Sequence, residues 1–535
     1  IWEHDHTVWK PEPVEITNRL GWLTSAEVMQ DNMNRLQALV DSVQKAGYTH
    51  ALLLGMGGSS LAPEVFRTTY GVKDGYLDLA VLDSTDPGAV LAYAAQLDPA
   101  KTLYIVSTKS GGTVETLSFF KSFYNQTLAA VGADKAGEHF IAITDPGSSL
   151  EQLAEQYRFR ATFLNDPNIG GRYSALSFFG VVPAALLGVD LDTLLERATK
   201  MALNCDKANC PSEGDNNGGR LGAAMGQLAK EGRDKVTLIT SPQIESFGDW
   251  VEQLIAESTG KEGKGILPVV GEPVGAPDVY SNDRLFVYMR VAGDGTHDAA
   301  VEALKAAGHP VVTLHLHDLY DLGGQFFLWE MATAVAGHII QINPFDQPNV
   351  EAAKVLARQM TAAYQQDGKL PELTPLLSDN GLTVYGDVTA NNAAEALKAF
   401  LAQAANGAYV TLQAYIQPTA EADAALLALR TKLRDTTQRA TTSAYGPRFL
   451  HSTGQLHKGD AGHGLFIQFT ADMPQDAPIP DEAGQDASTM SFGVLKMAQA
   501  LGDRQALLDG SRKVIRFDLG GDVAANLAKL TEALS

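Results

Sequence analysis

The chain has 535 residues, with 41 Lys and Arg against 63 Asp and Glu, and a net charge of −22. At about 100–200 residues per domain this length predicts about three domains, and 45% hydrophobic with 19% charged residues is a globular rather than a disordered composition. So acidic a chain has no basic field for a polyphosphate backbone. That excludes nucleic acid as a partner and leaves room for an anionic small substrate only where a few Lys or Arg gather locally.

The N-terminus, Ile1-Trp2-Glu3-His4-Asp5-His6, has neither the basic nor the apolar region of a signal peptide. Beginning without Met, it suggests a processed chain or a piece of a longer one. Cys205 and Cys210 make no disulfide framework and too few thiols for a zinc site, which points to a reducing, cytoplasmic setting. The longest apolar stretch, Ala175–Val189, contains Ser177 and Pro183 and falls short of a membrane span, so no membrane partner is expected.

Along the chain, short β-branched and leucine-rich runs alternate with longer amphipathic stretches, the pattern of βαβ units and parallel sheets. The first block offers strands at His50–Leu54, Leu79–Asp83, Thr102–Ser107 and Phe140–Thr144. The second offers Lys235–Ser241, Leu285–Val291 and Val311–Leu316, and the third Leu382–Gly386, Tyr409–Ile416, Leu465–Thr470 and Val514–Leu519. Joints are expected near Asn204–Gly219 and Gln366–Gly381, dividing the chain into residues 1–205, 206–375 and 376–535. The fold class is α/β: two doubly wound, flavodoxin-like parallel-sheet domains followed by a C-terminal α/β domain. Asp472–Asp486, dense in Pro and acids, reads as a mobile surface excursion.

Five segments carry residues suited to chemistry. Gly55-Met56-Gly57-Gly58-Ser59-Ser60 follows a strand and precedes a helical stretch, so its glycines permit a tight turn and close approach to a ligand. It is nearly a dinucleotide fingerprint, with Asp83 where a ribose-binding acid would stand. Ser107-Thr108-Lys109-Ser110-Gly111-Gly112-Thr113 then sets four hydroxyls and an ammonium on one turn, which suits a terminal phosphate better than a pyrophosphate held by backbone alone. In Gly170-Gly171-Arg172 the glycines let a guanidinium lie close under a substrate, where it would stabilise negative charge on oxygen. On the helix through Phe247, Trp250 and Leu254, Gln253 and Glu257 are four apart and share a stripe. Glu257, in the last turn at the negative end of the helix dipole, suits a general base. Asn343–Lys354 brackets a rigid turn with two prolines, after which Gln347 and Lys354 can face one cavity. Each has a plainer reading: an unliganded turn, a helix cap, a surface arginine, an exposed glutamate, a solvated lysine.

In this order, the five segments resemble the phosphoglucose isomerase family, built from sugar-isomerase (SIS) domains. Gly55–Pro63 resembles its Gly-x-Gly-Gly-Ser loop, Thr108–Thr116 its phosphate loop, and Gly170–Ser174 its Gly-Gly-Arg segment. Gln253–Lys261 resembles the Gln-x-x-x-Glu-Ser-x-Gly-Lys segment that holds the base, and Asp346–Lys354 the Asp-Gln-x-x-Val-Glu-x-x-Lys segment. The last third, with His451–Gly459, resembles the C-terminal part of bacterial bifunctional transaldolase/phosphoglucose isomerase chains, where a transaldolase barrel precedes.

The resemblance implies interconversion of glucose 6-phosphate and fructose 6-phosphate, without metal or redox cofactor because proton transfer leaves the net oxidation state unchanged. It implies Glu257 as base, Arg172 on the enediolate oxygens, and Gln253 and Gln347 on sugar hydroxyls. Gly58, Ser59, Thr108, Lys109, Ser110 and Thr113 would hold the phosphate, and Lys354 would assist at the ring oxygen or the developing charge. Its implied partners are the phosphosugar, an upstream transaldolase barrel in the same chain and a second copy in a homodimer. One departure stands out: the family's ring-opening histidine is absent from Pro268–Arg284. His457 with Lys458, or His451, is expected to replace it from the last third. His315 and His317 alternate along a strand but lack a third metal ligand. Two other readings stay open, a non-catalytic phosphosugar sensor and a nicotinamide-dependent dehydrogenase.

Overall fold

Three sheets, each built on a parallel set of strands, follow one another along the chain, and one strand order recurs in all three sets. The computed structural model describes residues 1–209 and 214–535; Cys210 lies outside them, while Cys205 is buried and free.

The first sheet contains β1 (His50–Gly55), β2 (Asp78–Leu82), β3 (Thr102–Ser107), β4 (Phe140–Thr144) and β5 (Ala161–Leu164), in the order β2-β1-β3-β4-β5, every pair parallel. Ala51–Leu54 are fully buried, the continuous apolar run of a strand covered on both faces. Helix α1 (Val114–Val131) follows β3, and α2 (Phe178–Leu187) is buried at every position, Pro183 included. The second sheet contains β6 (Lys235–Thr240), β7 (Leu267–Val269), β8 (Arg284–Val291) and β9 (Val311–Leu316), in the order β7-β6-β8-β9, with α3 (Phe247–Thr259) directly after β6. Helix α4 (Val350–Asp367) leads away from it; only Ala353 of its residues is fully buried.

The third sheet is mixed. Its strands are β10 (Leu377–Asp379), β11 (Leu382–Tyr385), β12 (Tyr409–Tyr415), β13 (Thr441–Tyr445), β14 (Gly464–Thr470) and, after the two-strand ribbon β15 (Pro478–Ile479) and β16 (Met490–Ser491) and helix α5 (Phe492–Asp509), β17 (Lys513–Asp518). The order is β10-β11-β17-β14-β12-β13, with β10 and β11 antiparallel additions. In all three sheets the first strand of the parallel set lies between the second and the third, with the fourth beyond. A crevice therefore opens at the carboxyl ends of the first and third strands, where connections leave in opposite directions. The site lies at that end of the first sheet, where the last turn of α3, having run back to the amino ends of the second sheet's strands, meets it.

Strands β5, β7, β10 and β13 escape sequence reading because they are short edges: β7 is Leu-Pro-Val, and β13 is Thr-Thr-Ser-Ala-Tyr with no apolar run. The expectation of a mobile excursion at Asp472–Asp486 is overturned. Ala477, Ile479 and Ala483 are buried in one cluster with Phe119 and Tyr124 of α1. Lys121 donates to the carbonyl of Asp481 at 2.5 Å, and Asn125 to that of Gln485 at 2.7 Å. The segment is a strap that ties the third-sheet unit to the first, and its anchors are small apolar residues hidden among prolines and acids. Among the described residues no helix is long and apolar enough to cross a membrane.

Candidate active site

The loop after β1 is where three parts of the chain touch. A Cβ on Gly58 would lie 2.0 Å from the carbonyl oxygen of Gly171, and one on Gly57, at φ +55°, 2.7 Å from that of His451. Only glycines allow so close an approach of backbone to backbone. They bring the Gly171–Arg172 turn and a turn of the third-sheet unit, Arg448–His451, against the end of β1. Ser59, itself buried, accepts at its carbonyl the hydroxyl proton of Ser107 from the end of β3.

Beyond β3 the hydroxyls of Thr108 and Thr113 meet at 2.8 Å. Thr113 holds the N-cap position of α1, yet no side chain caps this helix, so these hydroxyls are not consumed as caps. Thr113, with Ser110, Gly112 and Glu115, forms one wall of a cavity of about 360 Å³, and Thr108 stands behind it. Lys354 and Arg358 of α4 and His451 stand across it. Hydroxyls, the first-turn N–H groups of an 18-residue helix and the Lys354 ammonium form a setting for a dianionic phosphate, while Arg358 is paired with Glu351 of the same lining. Lys109 is a correction: its ammonium pairs with Asp145 and donates to the carbonyl of Pro167 at 3.1 Å, so it braces the turn from behind.

That lining stops at His451, and Gln253, Glu257 and Arg172 follow one hydrogen bond further. Gln253 donates from one nitrogen to the His451 carbonyl at 2.8 Å and to Glu257 Oε2 at 3.0 Å. Glu257 stands in the last turn of α3, 13% exposed, with Oε1 3.5 Å from Arg172 Nη1. Arg172, 2% exposed, donates through Nε to Ser258, through Nη1 to Gln347, and through Nη2 to the carbonyls of Pro344 and Asp346. A buried guanidinium is tolerable only when so fully partnered. Its Nη1 edge alone faces exchangeable side chains, Gln347 and Glu257. Beside it, Lys261 pairs with Asp346 at 2.7 Å; burial, reinforced by the nearby Arg172 charge, pushes this ammonium down to about 8.

The expectation for His457 is overturned. It is fully buried, neither ring nitrogen has a partner among the described residues, and it packs against Phe466 and Phe449 with centroids at 5.1 and 5.9 Å. Burial, aided by Lys458 and Arg512, holds it far below the ordinary histidine range and hence neutral. Lys458 is spent on Asp503 at 2.6 Å. His451 is the histidine at the cavity: its Nε2 lies 2.8 Å from Glu115 Oε1. Burial pushes the Glu115 carboxyl up, but the charge and hydrogen bond of His451, its own backbone N–H and Lys354 outweigh it and hold the group below its usual value.

Sequence reading missed Glu115, Lys261, Arg448 and Gln499. Glu115 and Lys261 stood inside quoted motifs, where spacing gave them no role; Arg448 and Gln499 lie far away in sequence with no motif around them. Asp83, the acid of the dinucleotide reading, is occupied by Arg448 at 3.3 Å and by the Ser60 hydroxyl. Among the described residues no group of three or more His, Cys, Asp or Glu could hold a metal, His315 and His317 included.

A family model described as phosphoglucose isomerase matches residues 16–265. The chain is similar to a probable glucose-6-phosphate isomerase of Methanococcus maripaludis, 28% identical over 400 residues, which cover 66% of this chain and 87% of that protein. It is 30% identical over 366 residues to a glucose-6-phosphate isomerase of Thermus thermophilus, covering 58% of this chain and 83% of the relative. Among solved structures, a hypothetical protein of the same organism superposes with a TM-score of 0.56 at 26% identity, over 65% of this chain and 91% of that one. A glucose-6-phosphate isomerase of Chlamydia trachomatis gives 0.54 at 20% identity, over 65% and 79%, a likeness of fold.

Proposed function

The chain belongs to the phosphoglucose isomerase family, and from that premise we propose that it interconverts glucose 6-phosphate and fructose 6-phosphate with Glu257 as the base. The C2 proton of the open aldose is acidified by the adjacent C1 carbonyl. Glu257 takes it, the electron pair moves through C1=C2 onto O1, and the cis-enediolate forms. The O2 proton passes to O1, and Glu257 returns its proton to C1, giving the ketose. Arg172 Nη1, which already reaches Gln347 and Glu257, stabilises the enediolate oxygens as charge develops there. Gln253 aligns Glu257.

The phosphate, held by Ser59, Thr108, Ser110 and Thr113 with Lys354 across the cavity, takes no part in the chemistry. Its binding energy fixes the distal carbons in register. Hexose phosphates are mostly cyclic hemiacetals, so the ring must open first. His451, the histidine of the cavity wall, moves a proton between O1 and the ring oxygen. The observation that carries the reading is the convergence of Gln253 on both Glu257 and the His451 carbonyl, which joins base helix and cavity wall.

The resemblance of the last third to bifunctional chains supports an upstream transaldolase barrel in the same polypeptide, and the family supports a homodimer. Two cysteines in 535 residues suit a reducing cytoplasm, and the division into 1–205, 206–375 and 376–535 is the reading of its units that we keep. The test is Glu257→Gln, which preserves shape and removes basicity. Isomerisation and exchange of the C2 hydrogen with solvent fall at least ~10²-fold, the low end for general base catalysis; a loss of only a few-fold assigns the base elsewhere.

A further inference from the structure

Glu115 accepts two hydrogen bonds at one oxygen, and both donors come from the third-sheet unit. Besides His451, the amide nitrogen of Gln499 on α5 reaches Glu115 Oε1 at 2.7 Å. Gln499 is 4% exposed, and its other end is fixed as well: the hydroxyl of Thr85, fully buried, donates to Gln499 Oε1 at 2.9 Å. The amide can therefore present only its N–H₂ to the carboxylate. The same helix meets the first-sheet unit at Lys496, whose ammonium lies 2.7 Å from Asp86 with both side chains buried. Its next turn carries Asp503, paired with Lys458. Residues 496, 499 and 503 thus form one polar stripe at helical spacing.

A polar seam is a costly way merely to dock a helix, because buried ions and amides lose solvation that an apolar seam would not. The Gln499 contact is explained by what it touches. Ring opening breaks C1–O5 and forms C1=O1 while one proton leaves O1 and one arrives on O5. An imidazole that mediates this must hold one tautomer and one ring orientation. A carboxylate on Nε2–H fixes both, leaving Nδ1 free of any protein partner among the described residues. The carboxylate does so only if it cannot itself rotate.

We propose that Gln499 is a positioning residue for ring opening: by holding Glu115 Oε1 it keeps the His451 ring aligned, so that the third-sheet unit supplies both the acid–base group and its alignment within one chain. This rests on the reading of His451 given above. The test uses the full chain with two readouts. Interconversion of the α and β anomers of glucose 6-phosphate, followed by exchange NMR, reports ring opening without C2 chemistry. The dissociation constant of 5-phospho-D-arabinonate, an acyclic acid shaped like the enediolate, reports the rest of the site.

In Gln499→Leu, anomerisation falls about tenfold, the change expected for one lost hydrogen bond to a charged group, while the dissociation constant stays within about twofold. Unchanged anomerisation overturns the proposal, and so does an equal loss in both readouts, which is what a contact that only docks α5 would give. Lys496→Met removes a docking contact of the same helix without touching Glu115. It lowers Tm and keeps the ratio of the two readouts at the parent value; a ratio shifted as in Gln499→Leu also overturns the proposal. If Glu257→Gln keeps isomerase activity while Gln499→Leu behaves as expected, only the base assignment fails. A parent chain that catalyses no anomerisation removes the proposal together with the role of His451.

Discussion

Lys261 shows how much of the site's chemistry is set by burial beside a charge. It is 1% exposed, lies by Arg172 and pairs with Asp346, whose carbonyl also receives Arg172 Nη2. In the unfolded chain this ammonium keeps its proton to about 10.5, and in the folded chain it releases it at about 8. Between those values the unfolded state binds more protons, so this residue makes stability rise with pH across that window. Activity moves the other way, because the neutral amine no longer holds the Asp346 loop against Arg172. A pH series of Tm and kcat on parent and Lys261→Met checks both: the variant lacks the stability rise above pH ~8 and the inflection in kcat. An identical pair of profiles removes the linkage. At this scale the sequence was readable for grouping: Gln253, Glu257, Arg172 and Gln347, taken from separate segments, do lie together. It was not readable for His451 against His457. They stand six apart in one short segment, and only the packing of Phe449 and Phe466 seals one while the Gly57 turn draws the other to the cavity.

At the scale of elements, the site is made by turns that bring backbones closer than side chains permit. Gly58 and Gly171 can be compared directly. A methyl on Gly58 would meet the Gly171 carbonyl at 2.0 Å, and backbone has nowhere to retreat, whereas a methyl on Gly171 meets nothing within 4 Å. Gly58→Ala therefore forces the first loop off Arg172. It costs about 1–3 kcal/mol by overpacking and lowers kcat/KM at least ~10²-fold, since misplacement by about an ångström is expensive. Gly171→Ala changes stability by no more than about 0.5 kcal/mol. Thermal unfolding of the two variants and kcat/KM for Gly58→Ala settle the matter; equal stability for both contradicts the packing argument. The elements themselves were legible where a run was long and apolar, as in β1, β3 and β4. They were hidden where an edge strand needs no apolar run, as in β13, or where alanines and one isoleucine anchor a proline-rich strap. Nothing in the local sequence says that Ala477 and Ala483 will lie against α1, because the partner is some 360 positions away, as in the contact of Asn125 with Gln485.

Across the whole molecule, three sheets share one strand order but not one task. The first carries the Thr108–Thr113 turn, the second helix α3 with Glu257, and the third packs a histidine and a glutamine onto a carboxylate of the first. The strap, the Lys496–Asp86 pair and the Arg448 bridge between Asp83 and Asp249 hold that third unit in place. That a histidine of the last third reaches the site was expected from the sequence, but its partners Glu115 and Gln499 were not, because contacts made across domains leave no periodicity. If these contributions form one site, a single substrate spans them. A crystal structure of the chain with 5-phospho-D-arabinonate tests this most directly. The phosphate is expected within about 3 Å of the Thr108, Ser110 and Thr113 hydroxyls, and the carboxylate end against Glu257 and Arg172 Nη1 with His451 alongside. A phosphate bound anywhere else, or an acid end turned away from Glu257, would contradict it.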